Sequence, residues 1–469
     1  MRFASHFVLV FVLLGFIAAA RAAENPVSWA TRDEILARIK APAFPARDFA
    51  ITDFGAVAGG TADATAAIRQ AIEACNRAGG GRVVVPAGVF LTGAIHLKSN
   101  VNLHVSTGAT LLFKTDPNAY LPLVHTRWEG IECMNYSPFI YAFEQQNIAV
   151  TGTGTLDGGA GEDNWWKWAR RGPDLKSPAS PDAVALGAFA AKGTPVAQRI
   201  FGPGHFLRPS FVQPYRCQNI LIEGVTIKRS PMWEINPVLC TNVTVRGLKI
   251  DTHGPNNDGC NPDSSKDVLI ENCLFDTGDD CIAIKSGRND DGRRVNVASE
   301  NIVVRNCTMK DGHGGVVIGS EISAGVRNVF IEDCEMDSPN LERALRFKSN
   351  ALRGGLLENI FMRRVNIGRV AEAIITVDFL YEEGAAGPHK PILRNVQLEH
   401  VVAKSTPRVF YVLGFEGAVI DRLRLAHCNF SGVETAELLE HAGYIELDHV
   451  TITPKEKPRS LSSRPPGVL

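Results

Sequence analysis

The sequence predicts an all-β protein wound as a right-handed parallel β-helix and closed at its N-terminal end by a capping helix. The first observation is a repeated phrase in which a polar or charged pair leads into alternating β-formers. It reads QNILIEGVTI from Gln218, TNVTVRGLKI from Thr241, KDVLIENCLF from Lys266, ENIVVRNCTM from Glu300, RNVFIEDCEM from Arg327, ENIFMRRVNI from Glu358, RNVQLEHVVA from Arg394 and DRLRLAHCNF from Asp421. Fainter copies start at Asn100, Gln146 and Tyr444. The second observation is spacing, since the starts recur every twenty-odd to thirty-odd residues with Gly, Asn and Asp turns between them. The third is the period of two within each phrase, which marks half-buried strands in a stacked array. A propeller would need four strands per blade and a leucine-rich horseshoe a Leu-x-x-Leu-x-Leu frame, and neither is present. In a β-solenoid each turn lies about 4.8 Å from the next, so residues one repeat apart in sequence become neighbours in space.

The chain opens with Arg2, an apolar run from Phe7 to Ala20, and the small-x-small pattern Ala20-Arg21-Ala22. That is the layout of a secretory signal over residues 1–22, and the run is shorter than the ~20 apolar residues that span a bilayer. Residues 23–469 read as one β-helix domain, exported to the periplasm or the medium, with no membrane contact once the signal is removed. In the stretch from Asp53, Asp63 is placed to cap a helix whose Ile68, Ala71, Ile72 and Cys75 share a face. Gly79-Gly80-Gly81 ends that helix before a strand at Val83-Val84-Val85. Such a helix covers the open end of the solenoid, where bare strands would pair with other chains.

Between Gly158 and Pro209 a Gly/Pro/Ala-rich stretch with Asn164-Trp165-Trp166-Lys167-Trp168 interrupts the repeat and reads as a long loop excursion. It walls one end of a groove, its tryptophans either stacking on sugar faces or packing the loop onto the body. Cys273, Cys307 and Cys334 hold the same place in three successive phrases, so they read as small buried residues stacked turn on turn. The other seven of the ten cysteines leave room for one or two disulfides. With 45 % hydrophobic residues and a formal net charge of -1, the chain can bury a large core. It carries no general attraction for nucleic acid or membrane, so a charged partner must be met by a local site.

The chemistry lies between Pro255 and Lys348. Asp258 precedes Cys260 by two residues and Asp279 precedes Cys281 by two, an offset of twenty-one that suggests adjacent turns and a common facing. Asp280 adds a third carboxyl. Like charges so placed cannot all ionise freely, so one group keeps a proton as an acid while another acts as a base. Taken singly, Asn256-Asn257-Asp258-Gly259 reads as a turn and Asp279-Asp280 as a turn or a calcium ligand pair. Alternation aims Asp280 away from Asp279 unless the chain bends at Gly278. On the next turns Gly312-His313-Gly314 reads as the start of a strand whose flanking glycines leave the imidazole uncrowded, and Arg346-Phe347-Lys348 puts two cations on one strand face with Phe347 on the other. Carboxylates, a histidine and a cation pair in one register suit an anionic substrate cleaved by acid–base work.

At these residues the chain resembles the polygalacturonase family of glycoside hydrolases, family 28, whose signatures are Asn-Thr-Asp, Gly/Gln-Asp-Asp, Gly-His-Gly and Arg-Ile-Lys. Here they stand, in order, as Asn256-Asn257-Asp258, Gly278-Asp279-Asp280, Gly312-His313-Gly314 and Arg346-Phe347-Lys348. The DFGAVAGG opening and SPMWEINPV from Ser230 extend the likeness over the mature chain. The resemblance implies Asp279 as general acid, Asp258 and Asp280 as activators of the attacking water, and His313 as support for the catalytic hydrogen bonding. It further implies that Asn256, Arg346, Lys348 and Tyr381 bind substrate, a pectic polysaccharide or oligogalacturonide, with inversion and with neither metal nor cofactor. Rhamnogalacturonan and xylogalacturonan hydrolases share much of this constellation. Asn257 and Phe347 depart from the usual Thr and Ile.

Three function classes compete at this level. An inverting hydrolase of pectin is favoured by cations on the turns after the carboxylates. A calcium-dependent pectate lyase on the same scaffold would use an Arg or Lys base and carboxylates as metal ligands. A non-catalytic carbohydrate-binding solenoid would need no acid pair. The excursion, by closing one end of the groove, further predicts exo-action from a chain end.

Overall fold

A computed structural model describes residues 27–170 and 176–455. The predicted signal at 1–22 lies outside these residues. The chain forms a right-handed parallel β-helix. Among the described residues, its strands stack into long parallel sheets of thirteen, twelve and six members, together with two three-stranded sheets. Every repeated phrase of the sequence supplies a strand to the thirteen-stranded sheet, as in Lys266–Glu271, Ser299–Arg305, Val326–Glu332 and Leu356–Arg363. The second half of the same phrase, after a tight turn, supplies the twelve-stranded sheet.

The polar pair that opens each phrase sets the register. Lys266, Glu300, Arg327, Glu358, Arg394 and Asp421 stand opposite one another on successive turns, so their charges alternate along the solenoid. Lys266 and Arg327 both pair with Glu300, at 2.8 and 2.6 Å. A slip of one residue would break this alternation and turn the apolar face outward. The next residue lies in the left-handed region and is an Asn or Asp, whose short side chain tolerates it, at Asp267, Asn301, Asn328, Asn359 and Asn395, with Arg422 in the same conformation after Asp421. Asn328 donates its amide to Asn301, Asn359 to Asn328 and Asn395 to Asn359, at 3.0, 3.0 and 2.7 Å.

The helix Thr65–Arg77 buries Ile68, Ala71, Ile72 and Cys75 against the first turns. It begins just after Asp63, whose carboxylate accepts from the Thr65 backbone N–H at 3.0 Å. Gly80 is required at its end, because a Cβ there would lie 2.5 Å from the Asn100 carbonyl oxygen. A second helix, Trp29–Arg38, has no counterpart in the sequence reading. It lies on the outer face of the thirteen-stranded sheet, over Leu269, Val303, Phe330 and Phe361, with Trp29 against both phenylalanines and the Arg363 guanidinium. All ten cysteines are buried free thiols, so the one or two disulfides allowed by their number do not form. A solenoid of this length holds its turns by core and ladder, and Cys273, Cys307 and Cys334 stack as small core residues.

The excursion carries a short 3-10 turn, Trp165–Trp168, and a helix, Ser180–Ala191. Trp165 and Trp168 are 1 % and 7 % exposed and pack edge to face, which leaves them to anchor the loop to the body and not to meet sugar. The helix rests on Trp128, Ile131, Phe201 and Trp233 through Leu186 and Ala190. No described helix is long and apolar enough to cross a membrane.

Candidate active site

The six-stranded sheet builds the site. Its strands Ile282–Ile284, Val316–Ile318, Arg343–Lys348 and Ala373–Asp378 lie side by side; the third carries Arg346 and Lys348, and the loops entering or leaving the strands carry the other functional side chains. Cys260 pairs with Ile282 and Asp263 with Lys285. This register is one residue longer than the Asp258–Asp279 spacing, so Asp280, not Asp279, is the register mate of Asp258. Asp258 therefore does not stack on Asp279 as their equal distances from Cys260 and Cys281 suggest. The chain bends at Gly278-Asp279, where Asp279 Oδ1 accepts from the Asp280 N–H at 2.9 Å, and this bend returns Asp279 to the group. Carboxylate oxygens of Asp258, Asp279 and Asp280 lie within 4.8 Å of one another.

Each carboxyl has its own cationic partner. His313 Nδ1 lies 3.0 Å from Asp279 Oδ1, Lys348 Nζ donates to Asp280 Oδ2 at 2.7 Å, and Lys285 Nζ stands 3.7 Å from Asp258 Oδ2. Asp258 and Asp280 are 4 % and 1 % exposed and form the floor, whereas Asp279 at 18 % and His313 at 48 % face the opening. His313 lies on the loop before Val316–Ile318, not at the start of a strand. Its glycine neighbours are demanded by space: a Cβ on Gly312 would fall 2.7 Å from the Asp279 carbonyl oxygen, and one on Gly314 2.4 Å from Val317. Arg346 and Lys348 share the outer face of their strand while Phe347 is fully buried in the core, as the alternation predicted. The Tyr381 ring covers both cations, at 5.8 and 5.4 Å.

Asp280 Oδ1 and Arg346 Nε are buried in this pocket without a hydrogen-bond partner within the protein, as are both oxygens of Glu234, Asn261 Oδ1 and Arg208 Nε around them. Asn256 is half-buried, and its side-chain oxygen accepts from Arg208 at 2.5 Å. Arg208 also donates to the carbonyls of Pro231 and Pro255, so the returning arm of the excursion stands against the turn that carries Asp258. Asn257 is fully buried and structural: its side chain receives the Gly254 N–H and Thr252 hydroxyl and donates to the Ser230 and Met232 carbonyls.

The electrostatics separate the carboxyls. Burial, reinforced by Asp279, pushes Asp258 well above the usual carboxylate range. Burial also works upward on Asp279, but the His313 hydrogen bond and charge, with Lys348 and Lys285, outweigh it and hold Asp279 down at about 2. The Asp279 hydrogen bond in turn raises His313 to about 9. The electrostatics of the resting pocket therefore favour a carboxyl proton on Asp258 over Asp279, which is the partner of the His313 imidazole.

Residues 205–432 match the family described as glycosyl hydrolases family 28, and residues 49–110 a family described as rhamnogalacturonase A/epimerase, pectate lyase-like. A probable polygalacturonase of Vitis vinifera is 29 % identical over 68 % of this chain and 60 % of its own length. An exo-poly-alpha-D-galacturonosidase of Dickeya chrysanthemi is 30 % identical over 71 % of this chain and 57 % of its own. The chain thus spans somewhat under two thirds of the length of these curated relatives. A solved structure of a hyperthermoactive exopolygalacturonase from Thermotoga maritima is 43 % identical, covering 91 % of this chain and 96 % of that one, with a TM-score of 0.87. This chain belongs to glycosyl hydrolases family 28.

Beyond the family-28 signatures the structure adds Lys285, Glu321, Asn261, Glu234, Arg208 and Trp233 to the pocket. Lys285 was legible in principle, as a charged residue closing the buried run Ile282-Ala283-Ile284. Glu321 and Arg208 stand outside any strand, and nothing in the local sequence pattern aims them inward. Calcium takes six to eight oxygen ligands, whereas this carboxylate trio is already met by two ammonium groups and an imidazole. That donor set suits protonation chemistry better than an ion cage.

Proposed function

We propose that this chain hydrolyses α-1,4-galacturonosyl linkages of pectic polysaccharide or oligogalacturonide, releasing small products from a chain end with inversion, after export to the periplasm or medium. The observation that carries the reading is the pairing, in one buried pocket, of an unpartnered acceptor and an unpartnered cationic donor, Asp280 Oδ1 and Arg346 Nε. The first is where a water can be held for attack, and the second where a sugar carboxylate can be received. Tyr381 lies over Arg346 and Lys348 and offers a face to the ring that bears that carboxylate.

In this reading the proton moves on binding. Lys348 is one of the charges that hold Asp279 down, and an anionic sugar seated on Arg346 and Lys348 offsets that charge. Asp279, the most open carboxyl, then takes up the proton and gives it to the leaving oxygen. Asp258 and Asp280 receive the proton of the water as its oxygen bonds to the anomeric carbon. The carboxyls lie closer together than the 6.5–9.5 Å usual for inversion, and separation alone would favour retention. Burial argues otherwise, since the two floor carboxylates can reach the sugar through a water but stand too deep to bond to it.

Exo-action is supported by the excursion against the Asp258 turn and by the names of the Thermotoga maritima and Dickeya chrysanthemi relatives. Digestion of defined galacturonate oligomers, with product sizes and the anomeric proton signal followed together, tests the whole reading. Small products with inverted configuration are expected. Mixed lengths would make the enzyme endo-acting, retention would turn a floor carboxylate into a nucleophile, and unsaturated ends would mark a lyase.

A further inference from the structure

Lys285 lies outside every motif that pointed to the site. It follows the strand Ile282–Ile284, and its buried ammonium donates to Glu321 Oε2 at 2.9 Å and to the Gly319 carbonyl at 3.3 Å. It stands 4.4 Å over the Trp233 ring and 3.7 Å from Asp258 Oδ2. Asn261 donates to that same Asp258 oxygen at 2.8 Å. One oxygen of Asp258 is thus fixed from behind, and the carboxyl is crowded from the front by Asp279 and Asp280.

The other charges around Asp258 are spoken for. Lys348 is bonded to Asp280, and Arg208, whose charge also reaches Asp258, donates to Asn256 and two carbonyls. Glu234, on the preceding turn, is fully buried with both oxygens unpartnered, and burial together with Asp258 pushes its carboxyl well above the usual carboxylate range, so it offers Asp258 no cation. Lys285 is therefore the cation that meets Asp258 directly. Its own position is set by Glu321, which carries a compensating negative charge and is bonded to it.

We propose that Lys285, aimed by Glu321, is a positioning residue that holds Asp258 in place and stabilises its anion while it serves water attack. The proposal rests on the reading of Asp258 and Asp280 as the carboxylates that take the water's proton. In that step a water O–H bond breaks as the oxygen bonds to the anomeric carbon. The released proton goes to the floor carboxylates, and the leaving oxygen takes the Asp279 proton along with the electron pair of the broken bond. Asp258 must enter this step as an anion beside two other carboxyls, and Lys285 is the group that makes such an anion tolerable. Glu321 tempers the effect, because its own charge offsets part of that of Lys285.

The two residues therefore act on Asp258 in opposite senses. An infrared pH titration of the whole protein follows the protonated-carboxyl band that disappears in Asp258→Asn. Lys285→Met is expected to move its midpoint to higher pH, and Glu321→Gln to lower pH. Rate profiles on a galacturonate trimer should show the acidic limb moving in the same two directions, with kcat of Lys285→Met down by about 100-fold. If Lys285→Met does not fold, Glu321→Gln alone decides, since a midpoint that stays or rises overturns the proposal. Identical midpoints in all three proteins would reduce Lys285 to a structural role even if kcat fell. The infrared arm needs no substrate, so a protein inactive on galacturonate, or one whose Asp258→Asn variant stays active, would sink the functional reading while leaving the positioning of Asp258 separately decided.

Discussion

Replacing Lys348 by Met separates two jobs that its ammonium performs at once. The side chain keeps nearly the same length, so packing under Tyr381 is largely retained. What is lost is the 2.7 Å contact to Asp280 Oδ2, on a carboxyl that is 1 % exposed and whose other oxygen has no closer cation than Arg346 at 3.9 Å. Removing one partner of a buried ion pair costs about 3–5 kcal/mol if the remaining charge stays. Asp280 relieves that cost by taking up a proton. A protonated Asp280 cannot accept one from water, so kcat should fall by about 10²–10⁴-fold, the range of general base catalysis.

The second job, reception of the sugar carboxylate, shows in KM and only on a charged substrate. Initial rates on a galacturonate trimer and on its methyl ester separate the two. The kcat loss is expected on both substrates, with the rise in KM confined to the free acid. Urea unfolding should show the variant destabilised by no more than about 3 kcal/mol, because protonation absorbs part of the cost. A variant whose kcat stayed within about threefold of the parent on both substrates would show that Asp280 does not depend on Lys348, and the base assignment would fail with it.

Asp279→Asn should fold normally, lose about 10²–10⁴-fold in kcat, and let the His313 imidazole, now at about 9, return to near 6.5 by NMR titration. An unchanged imidazole would deny the pair. The same pair predicts a stability profile: His313 is raised, so its contribution is complete below its ordinary value and is lost as pH climbs through about 9. Asp279 is lowered, so its contribution is complete above the ordinary carboxylate range and fades as pH falls through about 2. The stability gap to His313→Gln, read by urea unfolding, should therefore be flat in mildly acidic buffer and close at both extremes. Gly312→Ala would place a Cβ 2.7 Å from the Asp279 carbonyl oxygen, and the displaced acid should cost about tenfold or more in kcat with KM little changed. Trp29→Ala removes a ring held by Phe330, Phe361 and Arg363. It should lower stability by about 2 kcal/mol with kcat untouched.

The repeated phrase made the winding legible because each of its letters does one physical job. The leading charge selects the neighbouring turn, the Asn closes an amide ladder, and the alternation buries one face. The same logic failed at Asp258 and Asp279, where equal distances from Cys260 and Cys281 looked like register. Strand pairing at Cys260 follows Ile282 instead, and a bend at Gly278-Asp279 brings the third carboxyl round. Period-two reasoning holds where backbone is paired, as it did for Arg346 and Lys348, and loses its warrant in the loops where the acid and the histidine stand. The Trp29 helix escaped for a related reason. Phe330 and Phe361 are outward positions of a strand pattern, and an outward apolar pair states that something covers it without stating what.

The pocket's chemistry was legible as a set of residue types and not as a distribution of protons. Sequence order brings together Asp258, Asp279, Asp280, His313, Arg346 and Lys348, but which carboxyl holds a proton depends on depth and on the cation each one meets. Asp279, at the opening and bonded to His313, is the one the resting pocket favours as an anion, while burial favours the proton on Asp258. An acid that is anionic until an anionic substrate arrives would ready the pocket only when a uronic acid occupies Arg346 and Lys348. A neutral sugar of the same shape would leave that field in place and the proton on Asp258. Methyl esterification of the sugar at the Arg346–Lys348 site should therefore lower kcat as well as raise KM in the parent enzyme, and an ester hydrolysed at the parent kcat would show that substrate charge plays no part in arming Asp279.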